Sequence, residues 1–290
     1  MTNWSDERRR FMADMGKAGE WSAMLNTHMN RLWIENEMPQ YVEEIGGMCD
    51  LQDDAEVLIL GGSPRAADQL DKIEDAQNRG VPILACNGAG QWMVDKGLRP
   101  PEMVIVIDHN LRCLRYLQTD WLPDMTLLGQ TVDPQLMKHC EAERRPTRCF
   151  NIMPNDYGWP VVMGGSTVTG RALFLASCCG FRSIHLIGAD SDFKHGEGMH
   201  AYPHPDDAAM IAVRAAEDLP WRVSTPNLAA QAQEIPELLA VMTLINRSQR
   251  VAVYTEDSLL GDHLLAFKRK GEAFIATEDD MFEIVELADL

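Results

Sequence analysis

From residue 56 onward, short apolar runs alternate with longer amphipathic stretches, and this alternation restricts the fold more than any other feature. The runs are nearly continuous, as expected for strands covered on both faces. Strand–helix alternation predicts βαβ units, a mostly parallel sheet and helices on both faces. The predicted strands are Val57–Leu60, Val81–Cys86, Met103–Ile107, Met125–Leu128, Arg148–Ile152, Ser183–Ile187 and Val251–Tyr254, and the clearest helices are Ala66–Asn78 and Thr167–Cys179.

Patterning divides the chain into three segments. Apolar residues recur at helical spacing between Trp21 and Leu32, which predicts an N-terminal helical appendage over residues 1–49. Its apolar stripe predicts packing on the main domain or on a second copy of the chain, and in the latter case a homo-oligomer. Residues 50–256 show no repeat, low-complexity tract or linker and are predicted to form one domain. Residues 257–290 are predicted to be a C-terminal extension packed on it.

The C-terminal third is predicted to be largely helical. Thr225–Pro226 is typical of an N-cap followed by the first helical position, and Pro236 predicts that this helix stops and restarts. The pair at Thr277 and Asp280 resembles a capping box, which predicts a last acidic helix over Glu278–Leu287. The fold is therefore expected to end in a helical C-terminal region.

The net charge of the chain limits the kinds of molecule that it is expected to bind. The 26 basic and 44 acidic residues give a net charge of −18, and 46% of the residues are hydrophobic, as in a globular protein. This balance argues against a broad nucleic-acid or acidic-membrane surface, which needs clustered lysine and arginine, but it allows a small phosphate pocket. There is no apolar signal core, and no run approaches the ~20 apolar residues of a membrane span. We therefore expect a cytoplasmic protein without nucleic-acid or membrane partners.

Glycine-containing loops follow the first two predicted strands, at the sheet edge where ligands bind in open α/β folds. Gly61–Ser63 forms either a phosphate-binding turn at a helix start or only a tight strand-to-helix connection. Asn87–Gly88 invites comparison with a dinucleotide motif, but Met93 stands where that motif has its third glycine. Asn87 can still hydrogen-bond a base, a ribose or a phosphate.

A third loop, Gly164–Thr169, combines two glycines with three hydroxyl side chains at a predicted helix start. Such a loop is a strong candidate for binding an anion, and helix capping alone is the alternative. It lacks the lysine of a P-loop and the last glycine of a nucleophile elbow. The predicted nucleotide- and phosphate-binding residues are thus Gly61, Gly62, Ser63, Asn87, Gly88, Gly164, Gly165, Ser166 and Thr167.

Two carboxylates, Asp108 and Asp190, directly follow apolar strands. Asp108 is suited to hold Mg²⁺ together with a donor phosphate, to bond ribose hydroxyls, or to cap the next helix. We expect both side chains at one edge of the sheet, where a shared Mg²⁺ would relieve their repulsion. The predicted metal ligands are therefore Asp108 and Asp190, and Asp190 has the alternative role of anchoring the loop that follows it.

The loop after Asp190 contains His195, His200 and His204, whose spacing does not suit one helix face. A general acid or base is therefore favoured over a transition-metal cluster, and an ordinary imidazole titrates near ~6.5, which suits that work. Arg171, one turn into the third helix, is a candidate cation for the leaving phosphate or a solvent-facing residue. The predicted catalytic residues are His200, Asp190 and Arg171.

The most informative stretches are GGSPRAADQLD, PILACNGAGQWMVDKGLRPPEMVIVID, GGSTVTGRALFLASCCGFRSIHLIGAD and HAYP. Together they resemble the 6-hydroxymethylpterin diphosphokinase MptE-like family. Maf-type flagellin-modifying proteins share this domain, which is similar to bacterial sialyltransferases. The resemblance covers Val57 to Gln233 and implies a Rossmann-like nucleotide fold.

The resemblance implies a nucleotide-dependent transferase. Archaeal members imply Mg²⁺-dependent transfer of diphosphate from ATP to a pterin alcohol, and flagellar members imply transfer of a nonulosonic acid from a CMP-sugar. We expect diphosphokinase-like transfer from ATP to a small hydroxylated acceptor, with Mg²⁺ as cofactor. A CMP-sugar glycosyltransferase is the alternative, and a non-catalytic nucleotide-binding or assembly protein is a third interpretation.

Overall fold

A central parallel sheet organises the chain. The computed structural model describes residues 26, 29–30, 55–152, 161–193, 200–202, 210–246, 248–255, 257–271 and 283–285. The strands are β1 (Glu56–Leu60), β2 (Ile83–Cys86), β3 (Met103–Val106), β4 (Met125–Gly129), β5 (Thr147–Phe150), β6 (Ser183–Ile187), β7 (Ile211–Val213), β8 (Arg222–Ser224), β9 (Arg250–Tyr254) and β10 (Glu283–Val285). Within these residues the main sheet has eight strands in the order β10-β9-β6-β1-β2-β3-β4-β5, and β7 and β8 form a separate antiparallel pair.

Helices connect the strands, and three of those described begin at a side-chain cap. The helices are α1 (Leu70–Arg79), α2 (Ala89–Asp95), α3 (Pro134–Ala142), α4 (Val168–Cys178), α5 (Pro226–Ile245) and α6 (Leu259–Gly271), with 3-10 turns at Pro64–Gln69 and Leu111–Tyr116. Thr167 caps α4 and Thr225 caps α5, each through a side-chain oxygen that accepts a first-turn amide. Left-handed Gly80 ends α1.

Both faces of the sheet are buried, which explains the continuous apolar runs. In β1, Val57 and Ile59 belong to one buried cluster, whereas Leu58 belongs to another. The first cluster includes Leu173 of α4, and the second includes Ile73 of α1. Because successive strand residues face opposite sides, helices cover the sheet on both faces.

The predicted α/β architecture is confirmed. Each predicted strand is present, and its ends differ from the prediction by two residues at most. The predicted helix at Ala66–Asn78 begins as the 3-10 turn at Pro64–Gln69 and continues as α1. All sheet pairings in the described residues are parallel except that between β7 and β8.

Two predictions for the C-terminal third are wrong. Pro236 does not interrupt the helix, because α5 runs unbroken from Pro226 to Ile245 with Pro236 buried inside it. Proline removes one backbone donor there, and the burial of the surrounding helix face offsets that loss. Glu283–Val285, predicted as part of the last helix, pairs in parallel with β9 as β10. Its β-branched Ile284 and Val285 suit a strand, and the C-terminal segment thus adds a strand to the main sheet.

The N-terminal segment contacts the loops after β3 and β4. The Asn26 side-chain amide donates to the carbonyls of His109 (3.2 Å) and Thr131 (2.9 Å). That of Asn30 donates to the carbonyls of Gln130 (3.0 Å) and Val132 (2.8 Å). The rest of the predicted stripe, apart from exposed Met29, lies outside the described residues.

Strand order reverses beside β1, and this positions the site. The chain steps from β1 to β5 toward one edge, and β6 then pairs with the other side of β1. The carboxyl ends of β1 and β6 therefore flank a topological switch point, where open α/β sheets bind ligands. Along the part of the chain that the structure describes, no helix is both long and apolar enough to cross a membrane.

Candidate functional site at the switch point

A pocket of about 200 Å³ lies at this switch point. Its walls come from the loops after β1, β2, β3 and β6 and from the starts of α4 and α5. Of the predicted site residues, those that line it are Gly62, Ser63, Asn87, Asp108, Ser166, Thr167 and His200. The structure thus brings together residues that are up to 138 positions apart (200 − 62). The predicted residues outside the lining are Gly61, Gly88, Gly164, Gly165, Arg171 and Asp190.

Two helix starts meet in the pocket. Val168 and Thr169 of α4 line it, as do Asn227 and Leu228 of α5. First-turn amides have no partner within their own helix, and the N-terminal end of a helix carries partial positive charge. The caps already take two of these amides, since Gly170 donates to Thr167 and Leu228 donates to Thr225. Two such ends in one pocket favour a bound anion, particularly a phosphate.

The first glycine loop joins β1 to β6. The amide of Gly61 donates to the Ile187 carbonyl (2.8 Å), and that of Ser63 donates to the Gly188 carbonyl (2.9 Å). A Cβ on Gly61 would lie 2.3 Å from the Gly188 carbonyl oxygen, so only glycine allows this close approach. The Ser63 hydroxyl accepts from the Arg65 amide and so caps the 3-10 turn (3.3 Å). These two amides are therefore committed within the protein.

Asn87 and Asp108 form a polar pair on the opposite wall. The Asn87 side-chain amide donates to the Asp108 carboxylate (3.2 Å), and both residues line the pocket. Asn87 has a positive φ of 53°, and its Oδ1 is buried with no hydrogen-bond partner among the described residues. The capping role considered for Asp108 belongs instead to Asn110, whose side chain accepts from the Arg112 amide (3.0 Å). Asp108 is exposed and remains available to a ligand.

The loop before α4 holds a carboxylate of the protein itself. Oε2 of Glu234, on α5, accepts from the Ser166 amide (2.8 Å) and from the Ser166 hydroxyl (2.9 Å). Gly165, with φ of 74°, leaves room for this carboxylate, since a Cβ there would lie 2.3 Å from Oε2. The loop that was predicted to bind an anion thus binds one that belongs to the protein itself. This anion is the carboxylate of Glu234, which contacts Ser166.

Arg171 does not face the pocket. Its guanidinium donates to the Val162 carbonyl, and burial lowers its pKa while the Glu234 charge raises it. The predicted role of Arg171 as a cation beside the leaving phosphate is corrected, because the side chain is directed toward the loop that precedes α4. Its contact supports that loop.

Asp190 does not line the pocket that Asp108 lines. Asp190 is buried, and its Oδ1 accepts from the Thr255 hydroxyl (2.9 Å) and lies 4.0 Å from Nη1 of Arg65. Its carbonyl accepts from the Leu260 amide (3.0 Å), which ties the loop after β6 to α6. The described residues contain no group of three side chains suited to a metal ion. These contacts fit the alternative role of Asp190 as loop anchor, and its shared-metal and catalytic roles stay predictions that the contacts do not support.

His200 stacks on Tyr202 beside the first loop. The ring centroids are 5.3 Å apart and the planes differ by 18°, while Tyr116 meets Tyr202 edge-on at 5.7 Å. A Cβ on Gly62 would lie 3.1 Å from His200 Nδ1 and 2.8 Å from the Tyr202 hydroxyl oxygen. The Ala201 amide donates to the Gly62 carbonyl (2.9 Å) and fixes this segment. His195 and His204 lie outside the described residues.

Several residues that line the pocket were not predicted from the sequence as site residues. Ser191, with φ of 68°, accepts from the Gln231 amide (2.8 Å), and its carbonyl accepts from the Ser224 hydroxyl (2.6 Å). Asp192 lies 3.1 Å from Arg65, and burial raises its pKa more than the arginine lowers it. Left-handed serine at a strand end is strained backbone, which clusters at functional sites. The pocket residues that were missed as site residues but stood within motifs already singled out are Cys86, Val168, Thr169, Gly188, Ala189 and Tyr202.

Cys86 lines the pocket without being a nucleophile. Burial raises the pKa of its thiol to about 12, although a hydrogen bond with Thr169 opposes the shift. A thiol with that pKa is protonated at neutral pH and is inert. Covalent catalysis by Cys86 is therefore not expected.

We expect Tyr202→Phe to lower the free energy of unfolding by about 1–3 kcal/mol, because it leaves a buried donor unpaired. The Tyr202 hydroxyl accepts from the Gly88 amide, and burial holds its pKa well above the usual value. The ring stack on His200 is retained in phenylalanine. Urea denaturation measures the change, and a loss below about 0.5 kcal/mol would contradict this hydrogen bond.

The fold and the pocket define a Rossmann-like α/β protein with a polar pocket at the switch point. A family model described as 6-hydroxymethylpterin diphosphokinase MptE-like matches residues 35–196, more than half of the chain. The chain therefore belongs to the MptE-like family, and this membership supports a transferase. The match ends before His200. A search among curated proteins gives no match.

One solved glycosyltransferase structure agrees with this fold. The chain resembles the Maf glycosyltransferase from Magnetospirillum magneticum AMB-1 with a TM-score of 0.52 and 16% identity. The likeness covers 70% of this chain and 32% of that one, so the chain spans about a third of the length of that protein. The monofunctional alpha-2,3-sialyltransferase Cst-I from Campylobacter jejuni gives a TM-score of 0.43 and 12% identity, over 73% of this chain and 80% of that chain.

Proposed function

We propose that the chain is a nucleotide-dependent transferase whose pocket binds the nucleoside monophosphate part of the donor. One observation carries the proposal: the starts of α4 and α5 meet the His200–Tyr202 stack in the pocket at the switch point. The helix starts are suited to the phosphate, and Asn87 and Asp108 offer polar groups to a ribose or base. Membership of the MptE-like family supports transfer chemistry.

The proposed step needs one proton acceptor. The oxygen of an acceptor hydroxyl forms a bond to the transferred group while His200 takes the hydroxyl proton. The bond between that group and a phosphate oxygen of the donor breaks, and its electron pair stays on the departing nucleoside monophosphate. Transfer of diphosphate from ATP releases AMP, and transfer of a sugar from a CMP-sugar releases CMP. One pocket thus suits either reaction, with positioning and helix-start charge supplying most of the catalysis.

The charge of the pocket favours the CMP-sugar type of donor, which carries one phosphate. Its described lining includes Asp108 and Asp192 and neither lysine nor arginine. Asp192 is paired with Arg65, whereas the described hydrogen bonds of Asp108 are with two neutral groups, the Asn87 amide and the Cys113 thiol. Three phosphates would meet uncompensated negative charge here.

Diphosphate transfer from ATP is the second candidate, and Asp108 with Asn87 favours it. A carboxylate and an amide oxygen fit Mg²⁺, which binds through one or two protein ligands and donor phosphates. Bound there, Mg²⁺ would shield the charge of a triphosphate. Asp108 and the unpaired Oδ1 of Asn87 are the residues that would hold it.

A thermal-shift panel of CMP, CTP, AMP, ATP and GTP, each with and without Mg²⁺, tests the proposal. A ligand at 100 times its Kd stabilises the folded state by about 2.7 kcal/mol, which raises the melting temperature by several degrees. Stabilisation by CMP without metal supports the first candidate, and stabilisation by ATP only with Mg²⁺ supports the second. If nucleotides bind but no donor releases nucleoside monophosphate, the chain is a non-catalytic nucleotide-binding protein. If no nucleotide stabilises the chain, the proposal is contradicted.

We expect Asp108→Asn to weaken Mg²⁺-dependent nucleotide binding about tenfold while changing metal-free binding less, because the amide removes the charge that holds the cation. Titration calorimetry with ATP, with and without Mg²⁺, measures both affinities. Asp124→Asn is the matched control, since exposed Asp124 lies before β4 at the opposite edge of the sheet. Equal losses with and without Mg²⁺ would assign Asp108 to the ribose instead.

A further inference from the structure

One carboxylate, that of Glu234, occupies part of the loop that was expected to bind phosphate. Its Oε2 accepts both from the Ser166 amide (2.8 Å) and from the Ser166 hydroxyl (2.9 Å), across 68 positions of sequence. Ser166 lines the pocket and Glu234 does not, so this fixed negative charge lies directly behind a lining residue. A ligand phosphate at Ser166 would have to displace Glu234 or sit beside it.

The hydrogen bond with Glu234 also determines whether the Ser166 hydroxyl donates or accepts toward the pocket. A carboxylate only accepts hydrogen bonds, so the hydroxyl donates its proton to Glu234. Toward the pocket the Ser166 oxygen is then left as an acceptor. It suits a hydroxyl or amino group of a ligand, whereas a phosphate oxygen would find no donor there.

Positive charge that would compensate Glu234 lies outside the lining. Arg171 interacts electrostatically with Glu234, but its guanidinium donates to the Val162 carbonyl and is not part of the pocket. The described lining adds the carboxylates of Asp108 and Asp192. A second or third phosphate near Ser166 would therefore meet net repulsion.

We propose that Glu234 is a specificity-determining residue, which keeps donor phosphates away from Ser166 and makes the pocket select donors with one phosphate over those with three. This inference rests on the proposed function, since it concerns the same pocket. The helix start at Val168 and Thr169 takes the single phosphate. Ser166 takes a hydrogen-bond donor of the same ligand.

Glu234→Gln tests the charge while keeping an oxygen that accepts from Ser166. The control is Glu237→Gln, because Glu237 is exposed on the same helix, three positions further on. Calorimetry without Mg²⁺ gives Kd for AMP, ATP and inorganic tripolyphosphate with each protein. Glu234→Met, of similar length and without an acceptor, replaces the glutamine variant if a melting curve shows that variant to be unfolded.

The expected result is that Glu234→Gln tightens ATP binding about tenfold and AMP binding by less than about twofold, while Glu237→Gln matches the wild type. An unchanged ratio of the ATP and AMP affinities would overturn the role of Glu234. If no protein binds any nucleotide, the proposed function fails and tripolyphosphate tests Glu234 alone. Tighter tripolyphosphate binding to Glu234→Gln than to Glu237→Gln would then support the role, and equal binding would overturn it.

Discussion

Replacing His200 with asparagine is expected to slow the release of nucleoside monophosphate about 10²–10⁴-fold, the usual contribution of a positioned general base. Nucleotide affinity should change little, because asparagine keeps a polar side chain beside Tyr202 and leaves both helix starts intact. The ring of His200 lies over the first loop, where its Nδ1 would be 3.1 Å from a Cβ on Gly62. Asparagine has no group that accepts the proton at neutral pH.

The release of CMP from CMP-N-acetylneuraminate and of AMP from ATP measures this effect, with water in place of the unidentified acceptor. His109→Asn is the control, because His109 is an exposed histidine outside the pocket lining. Normal release from His200→Asn would remove this residue from the mechanism. Normal release at saturation with weakened affinity would make it a binding residue.

The second large effect is expected at Gly164, where alanine should lower the free energy of unfolding by about 3 kcal/mol or more. Gly164 has φ of 136°, and a Cβ there would lie 2.3 Å from the Gly170 carbonyl oxygen and 2.5 Å from the Arg171 amide nitrogen. Both contacts are backbone atoms of the first turns of α4, so α4 itself must shift. Nucleotide binding should weaken with it, since α4 begins in the pocket.

Gly80→Ala is the matched control for Gly164→Ala. Gly80 also has a positive φ, 77°, but nothing lies within 4 Å of an added Cβ. Gly80→Ala should therefore lower the free energy of unfolding by only about 1–2 kcal/mol, the cost of alanine in the left-handed conformation. Nucleotide binding should be unchanged. Urea denaturation of both variants gives the comparison, and equal losses of stability would contradict the close contact between Gly164 and α4.

The sheet was predictable because its signal is local. Each strand such as β1 is a short run of residues buried on alternate faces, and the run of letters VLIL already shows this. Helix starts at Thr167 and Thr225 were likewise visible as capping residues. Pro236 misled because tertiary burial of α5 outweighs the local preference of one residue. The strand at Glu283–Val285 depends on the exposed edge of β9, which no local pattern reveals.

The site was predictable only as far as strand ends and helix starts define it. Asn87, Asp108 and Ser166 were expected at the carboxyl edge and do line the pocket. The direction of a side chain at that edge depends on distant partners. Asp190 turns to Thr255 and Arg65. The link between Glu234 and Ser166 joins two helices whose packing the sequence does not encode locally.

A crystal structure of the chain with bound CMP tests the central claim most directly, and AMP gives a second complex. The phosphate is expected against the first turns of α4 and α5, at Val168–Thr169 and Asn227–Leu228, with Glu234 still bound to Ser166. The nucleoside should contact Asn87 or Asp108 on the other wall. A phosphate seated on Ser166 with Glu234 displaced, or a nucleotide bound outside the switch-point pocket, would contradict it.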